Sequence, residues 1–293
     1  MHGTLTRHVI AIPLAAVLAL LVAGFASIVW GGLLVANLKT TPAIPWSFVV
    51  MAGVLVLLWQ YLGGRWWPRG TAERRRALLR FRPVPGAVFG WALLAGGLAL
   101  AALVGLWIVL VELTNVGGNP TIPTANAAPV WTLALGLLMG SFVSSLTEEF
   151  AFRGYAQVTL ERAFGGVGAV GISSLFFMLY HGPTQGFFWS KLLFYFLVGV
   201  AFGTIAFLTQ STLPAWPVHL AGDLTFFFLI WPYDATRRFV GRDGADASFW
   251  LYAALAVVCT ALAILAFRRL SRAARASVAA IPNPGARVRG PAR

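Results

Sequence analysis

Charge is scarce in this chain. Only 11% of its 293 residues are Asp, Glu, Lys or Arg, where a soluble domain carries about 25%. With 59% apolar residues and a mean hydropathy of +0.79, it has too little polar surface to stay in water, and lipid is its predicted solvent. Cysteine is nearly absent. The single Cys259 lies in an apolar stretch, which excludes an internal disulfide and a cysteine-ligated metal site. No soluble domain, internal repeat or Gly-rich phosphate loop is visible. The first apolar run lacks a small-residue cleavage site and is long enough to span, so a cleavable signal peptide is not expected.

What is present is basic. The net charge is +13, but the arginines gather in short segments beside apolar runs, which is the pattern of topology signals. No basic face with interleaved aromatics occurs, so nucleic acid is not an expected partner. A span needs about 20 mostly apolar residues. Candidate runs are 9–37, 46–63, 86–114, 130–147, 166–181, 190–208, 212–232 and 248–267. These predict an all-α, polytopic membrane protein of about eight transmembrane helices. Arg65, Arg69, Arg74, Arg75, Arg76, Arg80 and Arg82 separate the second and third runs, and Arg268, Arg269, Arg272 and Arg275 follow the last. The positive-inside rule makes both segments cytoplasmic. Eight spans then put both termini and the 64–85 loop inside, in what is expected to be the cytoplasmic membrane. One segment conflicts: Arg237, Arg238 and Arg242 fall outside, accompanied by Asp234, Asp243 and Asp246.

Ionisable groups at membrane depth cost roughly 2.5 kcal/mol or more, so they usually carry function or pair tightly. There are nine acids and four histidines. His2 and His8 are terminal. Glu148, Glu149, His181, His219 and Asp223 lie in or at the ends of apolar runs. Glu149 and Arg153 are four apart with the acid first, the favourable order for a helical ion pair. Glu148 points about 100° away and is left free for chemistry. Phe177 and His181 share one helix face, as do His219 and Asp223. A bland reading exists for each: a juxtamembrane salt-bridge cluster, an interfacial histidine anchor and, for His219 with Asp223, simple packing, where a proton relay or ion site is the main rival.

Gly165-Gly166 is a turn signal. Glu148 lies 17 positions before it and His181 about as many after, so an antiparallel hairpin sets both roughly 25 Å from the turn, at one level. His219 sits roughly 10 Å along a helix that starts on the cytoplasmic side. One shared polar cavity inside the bundle is therefore geometrically possible, nearer the cytoplasmic face.

Three segments, Glu148-Glu149-x-x-x-Arg153, Phe177-x-x-x-His181 and His219-x-x-x-Asp223, resemble in order the motifs of the CAAX-processing and bacteriocin-processing (CPBP, or Abi) intramembrane proteases. The resemblance covers roughly 130–232. It implies that Glu148 activates water, that His181 helps hold that water, and that His219 and Asp223 polarise the scissile carbonyl, with Glu149, Arg153 and Phe177 in support. The best-known eukaryotic members have asparagine in place of Asp223. An amide donates a hydrogen bond to an oxyanion and an ionised aspartate does not. Asp223 is therefore protonated, or it orients a protonated His219 that donates instead.

The resemblance divides the chain into N-terminal transmembrane helices (1–129, with the basic loop 64–85), a CPBP-like catalytic core (130–232), a last transmembrane helix (233–275) and a basic tail expected to be disordered (276–293). No serine or cysteine is placed as a nucleophile. Ser144 and Ser145 are near Glu148 without a dedicated histidine, and Ser173 and Ser174 read as small packing residues. Metal-free water activation is the favoured reading. Zinc held by Glu148, His181, His219 and Asp223 is the alternative. The predicted activity is an intramembrane endopeptidase acting on a membrane-associated or prenylated peptide or protein. An ion-coupled transporter and a non-catalytic immunity or scaffold protein remain the competing classes. The aromatics Phe187, Phe188, Trp189, Phe194, Phe196 and Phe226 to Phe228 could line a prenyl pocket, or serve as interface anchors and packing.

Overall fold

Long apolar runs with no water around them must satisfy their backbone internally, and helices do this within one segment. The computed structural model describes residues 2–118 and 129–279, with side chains from Val9 onward. Among the described residues there is no strand. Each of the eight predicted apolar runs is helical: α1 (His2–Thr40), α2 (Trp46–Leu62), α4 (Gly86–Thr114), α5 (Val130–Glu148), α6 (Gln157–Gln185), α7 (Trp189–Thr209), α8 (Ala215–Thr225) and α10 (Ala247–Ala279). Two short helices, α3 (Ala72–Leu79) and α9 (Val240–Asp243), lie in the connecting loops. Five helical segments, 9–40, 86–114, 130–185, 189–209 and 247–279, are each long and apolar enough to cross a membrane. The chain is an all-α polytopic membrane protein. Helix α10 runs on to Ala279, and residues 280–293, most of the expected basic tail, lie outside the described residues.

The segment 130–185 is a hairpin. Gly165, at φ 68° and ψ 176°, breaks it in a conformation that L side chains rarely adopt. On either side of this turn, Phe152 packs edge-on against Phe177 at 5.2 Å, and the Ser173 hydroxyl donates to the Phe152 carbonyl at 2.9 Å. The two arms are thus antiparallel and in register about Gly165. Glycines let other helices approach closely. A Cβ on Gly199 of α7 would lie 2.8 Å from the Ser174 backbone of α6, and one on Gly105 of α4 would lie 2.6 Å from the Tyr252 carbonyl of α10. Small residues at such interfaces replace the hydrophobic drive that lipid removes.

Loop contacts sort into two faces. On one, Arg80 pairs with Glu161 beside the hairpin turn, Arg82 donates to the Gln210 carbonyl at 2.7 Å, and the Thr212 amide donates to the Arg80 carbonyl at 3.1 Å. Two of the loop arginines are therefore structural as well as charged. Arg80 and Arg75 are both buried, and Arg75 donates to the carbonyls of Tyr61, Trp66 and Pro68. On the opposite face, the Thr132 hydroxyl donates to the Pro42 carbonyl at 2.6 Å, and the Asp234 carboxylate accepts from the Trp107 indole at 3.0 Å and the Gly118 amide at 2.8 Å. The three arginines that conflict with the positive-inside rule lie on this second face. Each is paired: Arg237 with Asp234, Arg238 with Asp246 and Arg242 with Asp243. The hydrogen-bonded Arg242 guanidinium holds the Asp243 carboxyl at about 2.

Gly105→Ala is expected to lower stability by about 1–3 kcal/mol through overpacking. Gly97→Ala, whose Cβ would meet no atom within 4 Å, should leave stability unchanged or raise it. Thermal unfolding in detergent micelles checks the pair, and equal midpoints would contradict the close approach of α4 and α10.

Candidate active site

Immediately after Glu148 the helix widens into a π-helical stretch, Glu149–Ala156, and a second one, Phe226–Ile230, follows α8. Wider turns rotate less per residue, and such stretches cluster at functional sites. At Glu148 (φ -68°, ψ -39°) and Glu149 (φ -59°, ψ -40°) the backbone is still ordinary right-handed helix, so the two side chains diverge by about 100° and meet one imidazole at different nitrogens. Glu149 Oε1 lies 2.8 Å from His219 Nδ1, and Glu148 Oε2 lies 3.6 Å from His219 Nε2. Glu149 also keeps the Arg153 partner that its spacing predicts, at 3.3 Å. It is thus shared between a guanidinium and an imidazole, which the regular-helix picture does not anticipate.

Asp223 comes to the same ring from its own helix, with Oδ1 3.6 Å from His219 Nε2. His181 arrives on the far arm of the hairpin, its Nε2 4.0 Å from Glu148 Oε2. Glu148, His181, His219 and Asp223 therefore meet around one point, delivered by three helical segments. Their level follows from the hairpin register: the same equal count about Gly165 that pairs Phe152 with Phe177 pairs Glu148 with His181.

Each group is oriented by a neighbour. The Ser144 hydroxyl, one turn before Glu148, donates to Oε1 at 2.9 Å and leaves Oε2 facing the histidines. The Phe177 carbonyl lies 2.8 Å from His181 Nδ1. A carbonyl only accepts, so Nδ1 carries the hydrogen and Nε2 of the neutral ring is an acceptor. The His219 ring stacks on Phe202 at 4.7 Å. Arg153 is 1% exposed and lies over Phe177 at 4.4 Å and Phe202 at 5.2 Å. Its charge is thus held by one carboxylate and by aromatic faces. Ser144 stands at a helical spacing from Glu148 that could have been read in advance. Phe202 and Tyr195, which stacks on His181 at 4.1 Å, could not, because they arrive on α7 from a distant part of the chain.

The four groups line a cavity of about 500 Å³. Most of its wall is apolar, including Leu100, Leu103, Phe194, Phe226 and Phe227. Part of the rim is exposed on the outside of the bundle, at Leu20 of α1 and at Leu179, Pro183 and Thr184 of α6. Of the other aromatic candidates, Phe187, Phe188 and Trp189 are exposed at the α6–α7 turn.

Residues 129–225 match the family model of the Rce1-like type II CAAX prenyl endopeptidases. The Rce1-like match agrees with the family that the three motifs resemble. It spans a third of the chain, and that third contains Glu148, Glu149, Arg153, His181, His219 and Asp223. No curated protein and no solved structure matches the chain.

Removing one partner of a buried ion pair costs about 3–5 kcal/mol. Arg153→Met is therefore expected to destabilise the fold by that amount, and adding Glu149→Gln to it should recover part of the loss. Unfolding in detergent measures both. A single variant as stable as wild type would contradict the bracing role of the pair.

Proposed function

We propose that this chain is a CAAX-type intramembrane endopeptidase in which Glu148 activates the attacking water. The observation that carries the reading is the pairing of Glu148 Oε2 with the acceptor nitrogen of His181 across 4.0 Å. Two acceptors at that separation suit a water molecule that gives one hydrogen to each. Such a water is oriented with its lone pair away from both and toward a substrate carbonyl. Glu148 then takes a proton as the water attacks, and returns it to the amine as the C–N bond breaks.

His219 supplies the electrophile. Its Nδ1–H donates to Glu149. With its Nε2 protonated, the ring donates toward the carbonyl oxygen, and the carboxylates of Glu148 and Asp223 on that side stabilise the imidazolium. Asp223 thus acts through His219, which is how an aspartate can stand where an amide would donate directly. Low dielectric around the cavity strengthens each of these interactions. Each step uses a group of this chain, and no metal is required.

The substrate class we propose is a membrane-associated peptide or protein carrying an apolar, prenyl-like modification near the cleaved bond. The apolar wall and the exposed rim residues of α1 and α6 suit a chain that enters from the membrane, and the prenyl endopeptidase family model that residues 129–225 match points to the same chemistry. We place the arginine-rich face, with the 64–85 loop and both termini, in the cytoplasm of a cell whose cytoplasmic membrane holds the protein.

Purified protein in detergent, assayed with a farnesylated fluorogenic CAAX peptide, tests this. Glu148→Gln and His219→Ala should each lower turnover by about 10²–10⁴-fold, and a zinc chelator should leave wild type unaffected. Wild-type turnover in either variant would remove these residues from the chemistry. Loss on chelation, restored by zinc, would replace the metal-free mechanism with a metalloprotease using the same four side chains as ligands.

A further inference from the structure

Tyr195 carries a hydroxyl that the mechanism above does not use. The residue is 6% exposed, and its ring lies parallel to that of His181, centroids 4.1 Å apart and planes within 15°. It lines the same cavity as Glu148, His181, His219 and Asp223. Its hydroxyl is buried and has no hydrogen-bond partner among the described residues. Tyr180, on the other side of His181, is different: its hydroxyl hydrogen-bonds to the Ser27 hydroxyl at 2.5 Å and donates to the Ala23 carbonyl at 3.1 Å, and ties α6 to α1.

A buried hydroxyl without a partner lowers stability compared with a phenyl ring of the same shape. The site also has few donors to offer a substrate. Three carboxylates accept, His181 Nε2 accepts, Ser144 is committed to Glu148, and His219 Nδ1 is committed to Glu149. A polarised carbonyl needs donors, and a tetrahedral oxyanion has room for more than one.

The geometry points to Tyr195 as a catalytic residue that donates its phenolic O–H to the scissile carbonyl oxygen. This rests on the endopeptidase reading. As the water oxygen bonds to the carbonyl carbon, the C=O π pair moves onto oxygen, and Tyr195 O–H and His219 Nε2–H both donate to it. The phenol keeps its proton throughout. The proton removed from water by Glu148 goes to the amine nitrogen when the C–N bond breaks and the oxygen's pair re-forms C=O.

Tyr195→Phe removes the hydroxyl and leaves the stacking on His181, so the variant should unfold at or above the wild-type temperature. With the farnesylated peptide its kcat is expected to fall by about 10²-fold with KM unchanged. A phosphonate analogue of that peptide, which places an anionic oxygen at the tetrahedral centre, should inhibit it more weakly than wild type by a similar factor. Equal kcat and equal phosphonate inhibition in Tyr195→Phe, alongside an inactive Glu148→Gln, would overturn this inference and leave the endopeptidase reading intact. A loss confined to KM would also overturn it, since that marks ground-state binding. A wild type that cleaves nothing would overturn both.

Discussion

An imidazole with carboxylates on both nitrogens cannot be placed in lipid by one helix alone. His219 has Glu149 at Nδ1 and Glu148 and Asp223 at Nε2, and each of these acids would be costly at membrane depth without a basic partner such as this imidazole or Arg153. Mutual compensation therefore fixes where three helical segments meet. The hairpin turn at Gly165 sets the level, Glu148 and Glu149 meet the ring from two sides, and Arg153 balances their charge from behind, under aromatic faces.

The architecture around this point serves two demands that conflict. Under the proposed function the reacting groups must be held in place while a substrate still reaches them. Close glycine contacts join α6 to α7 and α4 to α10, and the arginine-rich loop is tied to the hairpin by Arg80 and to the end of α7 by Arg82. The cavity wall includes exposed residues, Leu20 of α1 and Leu179, Pro183 and Thr184 of α6, which on that reading form the side open to substrate. Ionisable groups and a mostly apolar wall share one chamber, which under the proposed function suits a substrate with an apolar part to bury and one peptide bond to present.

Much of this was legible in the sequence because charge is so rare there. With nine acids and four histidines in 293 residues, those inside apolar runs stand out, and helical spacing alone pairs Glu149 with Arg153 and His219 with Asp223. The equal count about Gly165 sets Glu148 level with His181. Other features were not legible, for identifiable reasons. The sharing of His219 by both glutamates is a contact between α8 and a helix about 70 residues earlier, which helical spacing within one segment does not give. Tyr195 and Phe202 reach the site from α7 through tertiary packing. Arg75 and Arg80 look like the other loop arginines, and only their burial against backbone carbonyls and Glu161 sets them apart.

The central claim is that Glu148 and His181 act as one unit on one water molecule, and a double-mutant cycle on turnover tests it most directly. Groups that act as a unit are strongly non-additive. The account predicts that Glu148→Gln combined with His181→Gln is no slower than Glu148→Gln alone. Losses that multiply in the double variant would show that the two side chains act independently, and would contradict the account.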